Sequence, residues 1–223
     1  MTTKRIVLIA LMVAMLTGGK TAIAVIPNVE IVSLFFVVFT LCFGIRDTLI
    51  ASFAFVLIEI FIWGFMLWWV ILYLIYWPFL ITVVGSVDYF VRAVIYRKHK
   101  VGTIAFDRQK KKDMARYYIT AGIGVICTIL FGVISTFIEV IFMDAIGTGR
   151  FWEFFYFRYL AGIWFFVVHV VSNSIILFSL VPILCTVAKR FRIVQKRATY
   201  TYVKLPLYGY FPKVQKKKCY YHN

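Results

Sequence analysis

The stretch Pro27–Phe79, PNVEIVSLFFVVFTLCFGIRDTLIASFAFVLIEIFIWGFMLWWVILYLIYWPF, decides the fold of this chain. It carries two apolar spans joined by a short turn, Gly44-Ile45-Arg46-Asp47, and then runs into a third. Segments this long and apolar cannot be solvated by water, and in lipid a lone segment satisfies its own backbone groups only as a helix. One carboxylate, Glu59, lies inside the second span. At the bilayer centre it costs roughly 2.5–3.5 kcal/mol on insertion scales, so such a group faces a cavity or a partner. Trp63, Trp68, Trp69, Tyr73 and Trp77 follow closely. An aromatic-rich segment beside a membrane carboxylate has the composition of a small-molecule pocket.

The rest of the chain agrees with a membrane setting. Of 223 residues, 63% are hydrophobic and 15% charged, whereas soluble domains are about 45–50% apolar. That leaves no room for a separate soluble catalytic domain. The net charge of +16 would suggest nucleic acid in a soluble protein. Here the charge is clustered at Arg92–Arg116 and Lys189–Lys218, with Lys4, Arg5 and Arg46 besides. Placing all of these on the cytosolic side predicts an all-α membrane protein with six transmembrane helices and both termini cytosolic. Lys20, Arg150 and Arg158 alone then fall outside that group. Nucleic acid is not expected as a partner.

In order, the predicted spans are Ile6–Ile26, Glu30–Phe43, Thr48–Ile62, a long span reaching Tyr96, Ala115–Phe142, and Phe154 to Ala188. Pro27-Asn28, residues 64–69 and residues 143–153 form the outer connections, and residues 97–113 a basic cytosolic loop. Pro78 is expected to kink the fourth span. Residues 1–190 thus form the membrane domain and 191–223 a basic, tyrosine-rich cytosolic tail. The start of the chain resembles a secretory signal with an Ala22-Ile23-Ala24 cleavage site, but Gly18-Gly19-Lys20 interrupts it and five spans follow, which favours a retained helix. Within that helix Ala10 and Ala14 stand one turn apart, a spacing that lets a partner helix approach closely in lipid. Gly19-Lys20-Thr21 is not a phosphate-binding loop, because Ala14 stands where its first glycine belongs and no strand precedes it. The four cysteines (Cys42, Cys127, Cys185, Cys219) show no metal or redox spacing.

The polar groups within spans are the candidate binding residues: Glu59, Glu139, and His169 with Asn173, which share a helix face four residues apart. Trp63, Trp69, Tyr73, Trp77 and Trp164 could wall a flat or cationic ligand, although tryptophans also form interfacial belts. The acids could equally be structural, bonded to His169, Arg158 or backbone. His169-Val170-Val171-Ser172-Asn173 fits the H-x-x-x-N pattern of glutamate-dependent intramembrane proteases, yet no Glu-Glu pair occurs to activate water. Hydrolysis is therefore disfavoured.

Taken together, Ala10/Ala14, Pro27–Leu34, Phe43-Gly44, Trp63-Gly64, the Trp69, Tyr73, Trp77-Pro78 segment, and Ala161–Trp164 followed by His169 and Asn173 resemble the substrate-binding S component of energy-coupling factor (ECF) transporters. The resemblance covers roughly residues 5–190. It implies a non-catalytic subunit of a bacterial cell membrane that binds a vitamin or related micronutrient from outside. It also implies a transmembrane coupling subunit and two ATPases as partners, which hydrolyse ATP, so that this chain needs no cofactor, metal or nucleotide motif. Ala10 and Ala14 would pack on the coupling subunit, and Asn28 and Glu30 would belong to a lid. A standalone channel or facilitator, or a non-transport scaffold with internally paired acids, is the alternative reading.

Overall fold

The computed structural model describes residues 3–26, 29–97, 106–143 and 149–190, without the side chains of 95–97, 106–110 and 189–190. The expected lid residue Asn28 and the tail 191–223 lie outside the described residues. Six helices follow one another: α1 (Thr3–Ile23), α2 (Val32–Phe43), α3 (Ile45–Trp63), α4 (Leu67–Arg97), α5 (Phe106–Phe142) and α6 (Phe151–Arg190). No strand occurs among the described residues.

The helices are not six equal spans. Within α1, α4, α5 and α6 lie segments long and apolar enough to cross a membrane. The second span is shorter than expected: α2 has 12 residues, about 18 Å of helix against a hydrocarbon core of about 30 Å. Ten of those residues are buried, because α2 is the central helix and packs against all five others. A helix apolar on every side is one enclosed by protein or lipid, and here the enclosure is protein. The 19-residue α3 is long enough but carries Arg46, Asp47 and Glu59.

Element ends also shift from the sequence expectation. The first turn shrinks to Gly44, whose φ of 91° suits glycine and lets α3 begin at Ile45. Gly64, at φ 85°, closes α3 in the same way, and α4 already includes Trp68 and Trp69. Helix α5 begins at Phe106, inside the stretch expected to be loop. Helices α4 and α6 continue through Pro78 and Pro182. The first apolar segment is likewise continuous through Gly18-Gly19-Lys20. A Cβ at Gly19 would stand 2.5 Å from the Phe35 ring of α2, so the glycine allows a close helix contact where an interruption was expected.

Ion pairs reveal the helix directions. Arg5 near the start of α1 pairs with Asp47 at the start of α3, and Lys20 near the end of α1 pairs with Glu59 near the end of α3. The two helices therefore run parallel, as alternation requires. Asp88 near the end of α4 pairs with Arg116 near the start of α5, and Glu139 near the end of α5 with Arg158 near the start of α6. Each of those neighbours is antiparallel. Around this frame the outer surface is apolar, with Phe61, Phe157 and Trp152 fully or largely exposed. Such a surface suits lipid and would be a liability in water. Inside lipid there is little hydrophobic force between helices, so close packing and polar contacts hold the bundle.

Candidate functional site

One end of the bundle, the end holding Lys20, gathers polar side chains from five helices and the α2 approach. Glu59 of α3 is 5% exposed and pairs with Lys20 of α1. Tyr73 of α4 lies beside them, 3.3 Å from the Lys20 ammonium through its hydroxyl. Glu30, just before α2, brings Oε2 to 4.0 Å from His169 Nε2 of α6. The Asn173 amide nitrogen sits 3.3 Å from the same His169 nitrogen. Phe131 of α5 packs on the His169 ring at 5.3 Å between centroids. Glu59 with Lys20 and Tyr73, and Glu30 with His169 and Asn173, thus form two polar groups at this end.

Aromatic rings supply its walls. Trp69, Tyr73 and Trp77 recur every fourth residue on one face of α4, with centroids 5.4 and 5.6 Å apart. They lead from the half-exposed rim at Trp69 to the core at Trp77, which is 1% exposed. There Phe36 of α2 and Tyr76 close on the Trp77 ring, each at 4.9 Å. Thr128 and Ser33 lie near the Tyr76 hydroxyl.

The chemistry of this end lies in what is left over. Among the described residues, buried oxygens of Glu30 (Oε2), Ser33, Glu59 (Oε1), Tyr76 and Asn173, together with the Trp77 indole nitrogen, have no hydrogen-bond partner. Each such group in an apolar setting carries a desolvation cost of about 1–3 kcal/mol, more when charged. Carboxylate and amide oxygens accept, while hydroxyl and indole groups donate. The set thus presents both acceptor and donor groups at one end of the bundle. Among the described residues no cluster of His, Cys, Asp and Glu is arranged to hold a metal.

The sequence-derived candidates separate into two groups. Glu59, Tyr73, Trp77, His169, Asn173 and the expected lid residue Glu30 come together. Trp63 and Trp69 stand at the exposed rim. Two others do not join. Glu139 is occupied by Arg158, a pair with its guanidinium half-exposed. Trp164 is 76% exposed on α6 and points out of the bundle; it follows His169 in neither direction nor burial, because five residues of helix rotate it well away from that face. Ala10 and Ala14 also face outward, on the unpartnered side of α1. Lys20, Ser33 and Tyr76 were missed. Lys20 did carry a signal, as a lone cation within an apolar segment and away from the cytosolic clusters. Ser33 and Tyr76 carried none.

The fold and surface define the class: an all-helical, multi-pass membrane protein. Comparison with protein-family models, with curated proteins and with solved structures finds no match to this chain.

Proposed function

We propose that the chain is the substrate-binding subunit of an ECF-type importer, taking a vitamin-like solute from outside through the polar end of the bundle. Six crossings with cytosolic termini would put Lys20 and Glu59 on the outer side and the basic loop and tail inside. The observation that carries the reading is the convergence of unpartnered buried acceptors and donors from α2, α3, α4 and α6 on one aromatic-walled region. A protein with only a scaffolding role has no use for such groups, since an apolar core of the same shape is as stable or more so. The outward Ala10/Ala14 face of α1 suits a coupling subunit of the same membrane. ATP hydrolysis would reside in two partner ATPases, and this chain would be non-catalytic.

The test is co-expression with a coupling subunit and its ATPases, followed by pull-down on this chain. An ATPase-containing complex is the expected result, and a vitamin panel by thermal shift then identifies the solute. Purification of the chain alone in the presence of cognate partners overturns the proposal in favour of a facilitator or scaffold. The Glu139–Arg158 and Lys20–Glu59 pairs are the observations that favour a structural role for these acids.

A further inference from the structure

We infer that Glu59 with the rings of Phe55, Trp63 and Tyr73 forms a binding site for an organic ammonium ion, and that the Lys20 ammonium occupies it here as a tethered surrogate. The inference rests on the solute-binding reading above and narrows its solute to a class. The Lys20 nitrogen lies 4.8 Å from the Tyr73 ring centroid, 5.8 Å from Trp63 and 5.9 Å from Phe55. Ring faces attract a cation at these distances, most strongly where water is excluded. The Glu59 carboxylate supplies the formal charge from the same side. Three rings and one acid around a single ammonium make a cage rather than a simple ion pair.

Two asymmetries distinguish this arrangement from a structural pair. The first is accessibility. The Lys20 side chain is 22% exposed against 6% for that of Glu59, and it sits in the last turn of α1 on a flexible stem. Its ammonium can swing to water without α1 unfolding, whereas Glu59 stays buried with Oε1 lacking a donor. The half-exposed Trp63 leaves the cage open to the rim. The second is charge. Glu59 and Glu30 both lie at this end, and among the described residues Lys20 pairs with the first while His169 stands 4.0 Å from the second. A cationic solute adds the positive charge that these acids lack. An anionic solute meets two carboxylates.

The full chain, purified in detergent, is titrated with benzyltrimethylammonium. Tryptophan fluorescence reports binding, and the acylation rate of Lys20 by a water-soluble amine-reactive ester is read by peptide mass spectrometry. We expect saturable quenching, with Lys20 acylation rising severalfold as the probe fills the cage and acylation of the exposed Lys4 unchanged. Lys20→Met removes the competitor, and we expect about tenfold tighter binding of the probe. In the double variant Lys20→Met/Glu59→Gln both charges are gone, the bundle stays folded, and the probe is not bound. Absence of saturable quenching in the wild-type protein overturns the inference. So does binding that leaves Lys20 acylation unchanged, or a preference for benzoate over the ammonium probe. These failures alongside an intact complex with coupling subunit and ATPases leave the transport reading standing. Probe binding without any such complex does the reverse.

Discussion

The two ends of the bundle use the same residue types to different effect. At the Arg5 end, Asp47 is paired with Arg5, and Asp88 is held between Arg116 and Arg92, the latter at 2.7 Å. Arg92 also donates to the Leu41 carbonyl of α2 at 3.3 Å. Cations outnumber acids there, and among the described residues Arg92 Nε is the buried side-chain atom without a partner at that end. At the Lys20 end the acids are Glu30 and Glu59, and buried acceptors and donors stand unmatched around them. A well-paired network fixes helices against one another, while buried groups left unpaired carry a desolvation cost that a bound partner would relieve. The difference separates the part of the molecule that holds the bundle from the part that can bind.

Substitutions can break that contrast, and the largest effect belongs to the saturated end. Arg116→Met strands the buried Asp88 with one partner. Loss of a buried partner costs about 3–5 kcal/mol, so we expect a large fall in melting temperature in detergent. Glu59→Gln at the opposite end should change stability far less, because Lys20 can turn to water, and should show its effect in solute affinity. Equal destabilisation by the two variants would make both ends structural.

Intermediate effects come from the close helix contacts. Gly85→Val places new atoms against Ile45, whose side chain lies 2.3 Å from a Cβ built at Gly85. Overpacking of this kind costs about 1–3 kcal/mol, and thermal unfolding measures it. Gly18→Ala meets nothing within 4 Å and serves as the neutral counterpart.

Smaller still is Tyr76→Phe. Removing a buried hydroxyl without a hydrogen bond should be neutral or stabilising by up to about 1 kcal/mol in the free protein, while solute affinity falls. A clear loss of stability would show that the hydroxyl is already satisfied. At the bottom of the range stand the outward groups. Trp164→Leu should leave solute affinity unchanged, and Glu153→Gln, which breaks an exposed pair with Arg150 at 2.7 Å, should shift stability by less than about 1 kcal/mol. A solute-binding defect in Trp164→Leu would return that residue to the site.

Much of this was legible without coordinates. The helical membrane class follows from apolar run lengths, and the pairing of His169 with Asn173 follows from four-residue spacing. The Trp69, Tyr73, Trp77 ladder follows from the same period. Burial direction was not legible for Trp164 or Glu139. An apolar helix in lipid is hydrophobic on its outer face as well as its inner one, so periodicity loses its power to tell them apart. For the same reason the apolarity of α2 did not reveal that ten of its 12 residues are enclosed by the other five helices.

The chain's composition and the spacing of its charges determined by themselves that this is a bundle of apolar helices with basic ends, since neither water nor lipid tolerates those segments in any other form. Only the tertiary structure decided which charges meet. Lys20 and Glu59 lie 39 positions apart, and Asp88 and Arg116 lie 28 apart. Nothing local in the sequence distinguishes an acid that will be saturated from one that will be left with a bare oxygen. That outcome depends on how α1, α3, α4 and α5 are set against the central α2 and one another, through contacts such as Gly19 on Phe35 and Gly85 on Ile45 and Thr40. Such packing sums many weak, shape-dependent contacts between segments distant in the chain, and it is there that a structural ion pair and an open cage part company.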